Sequence, residues 1–161
     1  TLDRIVPDCL SSFSKNKKLI IRYPKSIRPW QHVLEPLYGY LLLAEKLYSY
    51  GGVNFSQAWN FGPKKNNNTN VYELAKRLKK ITNSKSKIIT SKLKNFSEAK
   101  YLYLDSSKSM KLLKWKKILN LKKTLNLINE WHQAFLKKKD LRKITISQIK
   151  KFTKDLDGKK I

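Results

Sequence analysis

The sequence predicts an α/β fold with few and short strands, and three observations carry this prediction. Helical and strand-type patterns alternate along the chain, which is the order expected of α/β proteins. The chain has 161 residues, of which 40% are hydrophobic, enough for one domain with its own core. One cysteine and two histidines provide neither a disulfide framework nor the common zinc clusters. We therefore expect residues 1–161 to form a single region built around a hydrophobic core.

The first third of the chain predicts two helices and two strands. Residues 4–14 place apolar side chains at helical spacing, and residues 18–23 (KLIIRY) form a β-type run that ends at a proline. Residues 35–50 predict a longer helix, because a proline lies in its first turn and a Gly-Gly pair follows its end. Residues 57–61 (QAWNF) are predicted to form the second strand.

The rest of the chain continues the alternation and becomes richer in helix. Asn70 is predicted to cap a helix over residues 71–81, with Glu73 as its capping-box partner. Asp105 is a natural N-cap for a further helix. The remaining predictions are strands at 87–90 and 101–104 and helices at 105–113, 121–138 and 147–156.

The charge of the chain suggests a nucleic-acid binder but does not establish one. The sequence carries 36 Lys+Arg against 11 Asp+Glu, a formal net charge of +25. Only five of those 36 residues are Arg, the type that base readout and bidentate phosphate capture prefer. We therefore expect non-specific attraction to nucleic acid and keep a dedicated nucleic-acid-binding role as an alternative. The longest uncharged apolar stretch, residues 36–44, is shorter than the roughly 20 residues that a membrane span needs, so a cytoplasmic, non-membrane protein is expected.

The motif search finds no complete catalytic signature. The five glycines form neither G-x-G-x-x-G nor a P-loop, so no dinucleotide cradle is predicted in this chain. Tyr72 and Lys76 match Y-x-x-x-K and would share a helical face, but chance matches are expected in a lysine-rich chain. His32 and His132 stand alone in the sequence, and packing or hydrogen-bonding roles are favoured over general-base chemistry.

One stretch, residues 28–37 (RPWQHVLEPL), points to ligand binding. Arg28 lies between a predicted strand and a predicted helix, in a segment stiffened by two prolines. A guanidinium held there suits recognition of a phosphate or diphosphate. Arg28 can equally stack on Trp30 or pair with Glu35 at the surface. The residues alone do not decide between ligand binding and such a surface contact.

Several segments closely resemble the CDP-glucose 4,6-dehydratases, a family of extended short-chain dehydrogenases/reductases. The RPWQHVLEPL segment separates this family from its dTDP-glucose and GDP-mannose relatives, which carry Arg-Asp-Trp there. The same family carries Leu-Gly-Trp where this chain has Leu113-Lys114-Trp115. The segments that carry the resemblance are TLDRIVPD (1–8), IRPWQHVLEPL (27–37), GYLLLAEKL (39–47), AWNFGP (58–63), LYLDSSK (102–108), EWH (130–132) and TISQI (145–149).

The resemblance implies a helix-rich, C-terminal substrate-binding part whose N-terminal Rossmann half is absent. Such an enzyme is a hydro-lyase that oxidises the sugar at C4 with NAD, loses water across C5 and C6, and returns the hydride to C6. NAD and the catalytic residues would belong to the absent half, so this chain is expected to bind no NAD and to be inactive alone. The full-length enzyme is expected to be a homo-oligomer. A first residue Thr1 and a single methionine, Met110, agree with an incomplete chain. A related sugar-nucleotide epimerase or decarboxylase is the alternative within the superfamily.

The resemblance also implies where the nucleotide sugar, CDP-glucose, would bind. Arg28 matches the arginine that holds the diphosphate or the adjoining ribose, and Asn60 matches a further nucleotide contact. Arg4 and Ile5 match a helix start that flanks the nucleotide. Ile21 and Arg22 align with the strand that covers the base. No catalytic and no metal-ligating residue is expected in this chain.

Overall fold

Helices dominate the part of the chain that the computed structural model describes, which comprises residues 4–63, 69–91 and 99–158. A single-turn 3-10 helix, Gly52–Phe55, follows the second α-helix. The elements in chain order are α1 (Ile5–Ser14), β1 (Leu19–Ile21), β2 (Ile27–Arg28), α2 (Leu34–Tyr48), β3 (Thr69–Asn70), α3 (Val71–Ile81), β4 (Ile88–Thr90), α4 (Ser107–Leu112), α5 (Leu121–Leu136) and α6 (Leu141–Asp157). None of the helices in these ranges has the length and apolar character needed to cross a membrane.

The described strands form two small sheets. β1 pairs in parallel with β4, with Leu19 opposite Ile88. β2 pairs antiparallel with β3, with Arg28 opposite Thr69. Alternation along β1 directs one face to the core, since Leu19 is buried whereas the next residue, Ile20, is 63% exposed.

The main core lies where α1, α3 and α5 meet β1. Cys9, Leu74, Leu78 and Leu125 are almost completely buried there and belong to one apolar cluster. Asn70 caps α3 as predicted, because its side-chain Oδ1 accepts the Glu73 N–H at 2.8 Å. The spacing of apolar residues along α1 and α3 thus explains both their helical form and the face that each one buries.

The start of α2 is anchored by a buried carboxylate. Glu35 is 0% exposed, and its carboxylate accepts the N–H groups of Ile118 and Leu119, the latter at 2.6 Å. The Glu35 carbonyl accepts the Trp115 indole N–H at 3.1 Å. These bonds join the RPWQHVLEPL segment to the chain between α4 and α5.

The predicted strand at 57–61 is wrong. The structure has an irregular segment there, and side chains rather than a neighbouring strand satisfy its main chain. Gln31 Nε2 donates to the Phe61 carbonyl at 2.7 Å, and the Gly62 N–H donates to Ser106 Oγ at 2.7 Å. These hydrogen bonds depend on residues far away in sequence, so the β-type composition of residues 57–61 does not by itself predict a strand.

The structure differs from the predicted elements at three further places. In the predicted strand at 101–104 only Tyr101 forms a bridge, which pairs with Ile27, and the two-residue strands β2 and β3 were not predicted. The last helix begins at Leu141 instead of residue 147, because Asp140 Oδ1 accepts the Lys143 N–H at 3.1 Å and so caps it. The helices predicted at 4–14, 35–50, 71–81 and 121–138 and the strands at 18–23 and 87–90 are confirmed within a few residues at each end.

A candidate nucleotide-binding cavity between α1, β1 and β2

A cavity of ≈ 530 Å³ opens where the start of α1 faces the ends of β1 and β2. The first turn of α1 forms one wall, residues 20–23 another, and residues 28–30 with the start of α3 the rest. Five of the six binding residues predicted from sequence line this one cavity, namely Arg4, Ile5, Ile21, Arg22 and Arg28.

Hydrogen bonds to α3 hold the segment that connects β1 to β2. The Val71 N–H donates to the Ser26 carbonyl at 3.0 Å, and the Tyr72 N–H donates to the Pro24 carbonyl at 3.1 Å. The Trp30 indole N–H donates to the Thr69 carbonyl at 2.9 Å. The strands β1 and β2 are too short to be stable alone. The N-terminus of α3 and the Trp30 indole therefore fix the chain around them.

The Arg28 guanidinium is oriented by main-chain carbonyls. Its Nη1 donates to the carbonyl of Ile27 at 2.8 Å and to that of Ala99 at 2.9 Å. The surface pairing with Glu35 that the sequence left open does not describe this structure, since Glu35 is buried and bound by main-chain N–H groups. Arg28 thus lines the cavity from a fixed position.

The cavity is suited to an anion. Arg4, Arg22 and Arg28, three of the five arginines in the chain, line it, whereas Asp8 is the one acidic residue among the described residues of its wall. Arginine presents planar N–H donors that match phosphate oxygens. A ligand with more than one phosphate oxygen in reach is the natural complement of this charge.

Ile21, a predicted binding residue, and its neighbour Ile20 differ in exposure at the cavity wall. The Ile21 side chain is 2% exposed and belongs to the main core, although the residue contributes to the cavity wall. The neighbouring Ile20 also lines the cavity, and its side chain is the more exposed of the two. The two-residue period of a strand is the signal that would have identified it.

Asn60 lies outside the cavity. It is exposed, and its main-chain carbonyl accepts a hydrogen bond from Ser109 Oγ. Lys108 Nζ reaches the same irregular segment, donating to Gln57 Oε1 at 2.6 Å and lying 4.4 Å from the centroid of the Trp59 ring. The structure therefore does not bring Asn60 together with the other five predicted residues.

Sequence reasoning missed the aromatic and acidic part of the lining. Tyr23, Trp30 and Asp8 all line the cavity. Tyr23 follows Arg22 directly, Trp30 lies two residues after Arg28, and Asp8 lies one helical turn after Arg4. The helical period of α1 is therefore the signal that would have identified Asp8.

No metal centre is present among the described residues. The glycines serve packing and turns: a Cβ at Gly39 would lie 2.3 Å from the Phe61 ring, and Gly51 has φ +74° at the end of α2. Residues 4–63, 69–91 and 99–158 contain no cluster of three His, Cys, Asp or Glu side chains able to hold a metal ion. Tyr72 and Lys76 share a face of α3, but Lys76 Nζ pairs with Glu73 at 3.2 Å.

A second cavity, ≈ 450 Å³, lies between α1, α5 and α6, and none of the six predicted binding residues lines it. His32 and His132 contribute to its wall, and burial lowers the pKa of both imidazoles below the usual value.

In the main core, burial, reinforced by the Asp8 charge, raises the pKa of the Cys9 thiol to about 12, which makes Cys9 an inert core residue.

Comparison with known proteins defines the class of the fold. No protein-family model matches the chain. The epimerase Mth375 from Methanothermobacter thermautotrophicus superposes with a TM-score of 0.73 at 16% identity, over 89% of this chain and 40% of that one. The UDP-glucuronic acid 4-epimerase from Bacillus cereus, solved with UDP-glucuronic acid and NAD, superposes with a TM-score of 0.69 at 17% identity, over 83% and 40%. The fold is that of the C-terminal parts of extended short-chain dehydrogenase/reductase epimerases and dehydratases.

Sequence similarity identifies one relative within that class. The chain is 40% identical over 139 residues to the CDP-glucose 4,6-dehydratase of Salmonella typhimurium. The aligned region covers 86% of this chain and 38% of that protein. The resemblance to CDP-glucose 4,6-dehydratase is thereby confirmed. The chain spans well under half the length of this relative.

Proposed function

We propose that the chain is the nucleotide-sugar-binding part of an NAD-dependent CDP-glucose 4,6-dehydratase that acts in deoxysugar and polysaccharide biosynthesis. The observation that carries the proposal is the cavity that gathers Arg4, Arg22 and Arg28 with Ile5 and Ile21. The 40% identity to a CDP-glucose 4,6-dehydratase supports it. The proposal includes a cytoplasmic, homo-oligomeric full-length enzyme.

In this proposal the residues of the chain bind and orient the substrate. The three arginines hold the diphosphate, and Ile20, Ile5 and Trp30 offer apolar and aromatic surface to the base. Hydride transfer and water loss take place at C4, C5 and C6 of the sugar. The groups that carry out these steps, and NAD itself, are assigned to the part of the relatives that this chain does not span.

A related epimerase or dehydratase specific for another nucleotide sugar is the second candidate. The fold favours it as much as a dehydratase, because the superposed structures include epimerases. The sequence favours the dehydratase, since the 40% identical relative is one.

Calorimetric titration of the 161-residue chain with CDP-glucose tests the proposal. We expect one saturable site, and we expect no 4-keto-6-deoxy sugar to form when NAD is added to the isolated chain. Arg28→Ala should weaken binding about 10- to 150-fold, because a charge-assisted hydrogen bond contributes roughly 1.5–3 kcal/mol. Arg28→Lys should recover only part, since a point charge cannot replace a planar fork.

Arg77→Ala is the matched control. Arg77 is exposed on α3 and lies outside the cavity lining, so its loss removes one positive charge but no proposed contact. In the full-length enzyme Arg28→Ala should raise KM more than it lowers kcat, because the diphosphate charge does not change during the reaction. Equal affinity of Arg28→Ala and Arg77→Ala, with both chains folded, would remove Arg28 from the site.

A further inference from the structure

We infer that Asp8 is the residue that distinguishes cytosine from uracil in this cavity. The inference rests on the proposed function and assigns a specificity role to a residue that the sequence resemblance did not single out. Asp8 lines the ≈ 530 Å³ cavity from the first turn of α1, where its N–H donates to the Arg4 carbonyl at 3.0 Å. It is half-buried.

The Asp8 carboxylate has no hydrogen bond or ion pair with any residue of the described ranges, although Arg4 lies one helical turn away. An Asp and an Arg at that spacing commonly pair. The carboxylate therefore remains available to a ligand, in a cavity wall that also contains three arginines.

Electrostatics limits which part of a nucleoside diphosphate can lie against Asp8. A carboxylate repels phosphate oxygens, so the diphosphate must be held by the arginines instead. An ionised carboxylate only accepts hydrogen bonds, and its ligand must therefore offer N–H or O–H groups. Ile5 and Val6, the apolar residues of the same turn, also line the cavity and favour the flat face of a base beside it.

Cytosine and uracil differ at the group that a carboxylate reads. Cytosine carries an N4 amino group that donates to a carboxylate, whereas uracil carries an O4 acceptor that a carboxylate repels. An Asp at the base therefore favours cytidine nucleotides. The ribose hydroxyls also donate, but they are identical in both nucleotides and cannot produce a preference.

The experiment compares CDP and UDP as probes on the 161-residue chain and its variants by calorimetric titration. We expect CDP to bind about tenfold more tightly than UDP. Asp8→Asn should bring the ratio of the two affinities close to one, because an amide can accept from N4 or donate to O4. Asp8→Ala should also abolish the preference. Removing the negative charge of Asp8 should raise the affinity for CDP and UDP equally, and this common increase cancels in the ratio of the two affinities.

Glu45→Gln is the matched control, since Glu45 is an exposed carboxylate on α2 outside the cavity lining. It should leave the ratio unchanged. A ratio that persists in both Asp8 variants overturns the inference while leaving the cavity assignment standing. A parallel loss of CDP and UDP affinity in Asp8→Asn assigns Asp8 to the ribose and also overturns it. If the parent chain binds neither nucleotide, the proposed function fails and the inference fails with it.

Discussion

At the scale of single residues, two side chains of the RPWQHVLEPL segment make hydrogen bonds that support the fold. His32 is 7% exposed, and its Nδ1 accepts the Leu34 N–H at 3.3 Å. Glu35 binds the main chain before α5. The RPWQHVLEPL segment therefore places Arg28 at the cavity wall, and the hydrogen bonds of His32 and Glu35 fix the position of the segment.

The burial of His32 predicts a loss of stability in mild acid. Burial lowers the pKa of His32 from its ordinary value of 6.5, so the unfolded chain binds the proton more readily than the folded chain. The stabilising contribution is complete above about pH 6.5 and is lost as the pH falls toward the folded pKa. His32→Asn, whose Oδ1 can still accept the Leu34 N–H, should lose less stability than the parent between about pH 7.5 and 5.5.

Urea unfolding at both pH values measures this difference. The comparison must be with the parent at each pH, because His132 also has a pKa lowered by burial and remains in the variant. An identical loss in parent and variant would show that His32 does not titrate with folding.

At the scale of elements, α4 is a support for the irregular segment 57–63. Ser106 and Ser109 bond to its main chain, and Lys108 lies over the Trp59 ring. α4 then ends at a strained residue, since Lys114 has φ +56° in the left-handed region. This is the position where the resembling family carries glycine.

Lys114→Gly should therefore stabilise the chain. A left-handed conformation costs an L-residue roughly 1–2 kcal/mol, and part of this gain is offset by the larger entropy of an unfolded glycine, so about 0.5–1 kcal/mol should remain. Urea unfolding measures it. Lys111→Gly, an exposed change inside α4 with the same loss of charge, should instead destabilise by about 1 kcal/mol. A Lys114→Gly variant that is no more stable than the parent would contradict the strain.

At the scale of the whole molecule, charge is distributed unevenly. Residues 1–60 carry 8 basic and 4 acidic side chains, net +4, and residues 61–161 carry 28 and 7, net +21. A depression between α3 and β4 contains four lysines, Lys76, Lys79, Lys80 and Lys87. The arginines of the candidate cavity lie elsewhere, so two kinds of positive surface coexist.

The lysine-rich surface should bind DNA weakly and without sequence preference. Lysines neutralise phosphates and release counterions, so the affinity should fall steeply between low and physiological salt. Fluorescence anisotropy with two unrelated duplexes at two salt concentrations measures both properties. Tight binding of one duplex at the higher salt would instead favour the nucleic-acid-binding alternative.

The sequence by itself determined most helices, the strands β1 and β4 and the candidate ligand class, whereas the tertiary structure decided the strands β2 and β3 and which residues line the cavity. A helix such as α3 follows from its N-cap, Asn70, and from a periodic apolar face that includes Leu74. These residues are close together in the sequence, so a local pattern is enough to predict the helix. The pairing of β2 with β3 and the irregular course of 57–63 depend on partners up to about 50 residues away, such as Ser109 on Asn60. The separation of Asn60 from the cavity, the burial of Glu35 and the presence of Asp8 in the wall have the same origin. Contacts between distant residues are chosen by packing of the whole chain, and no local pattern encodes them.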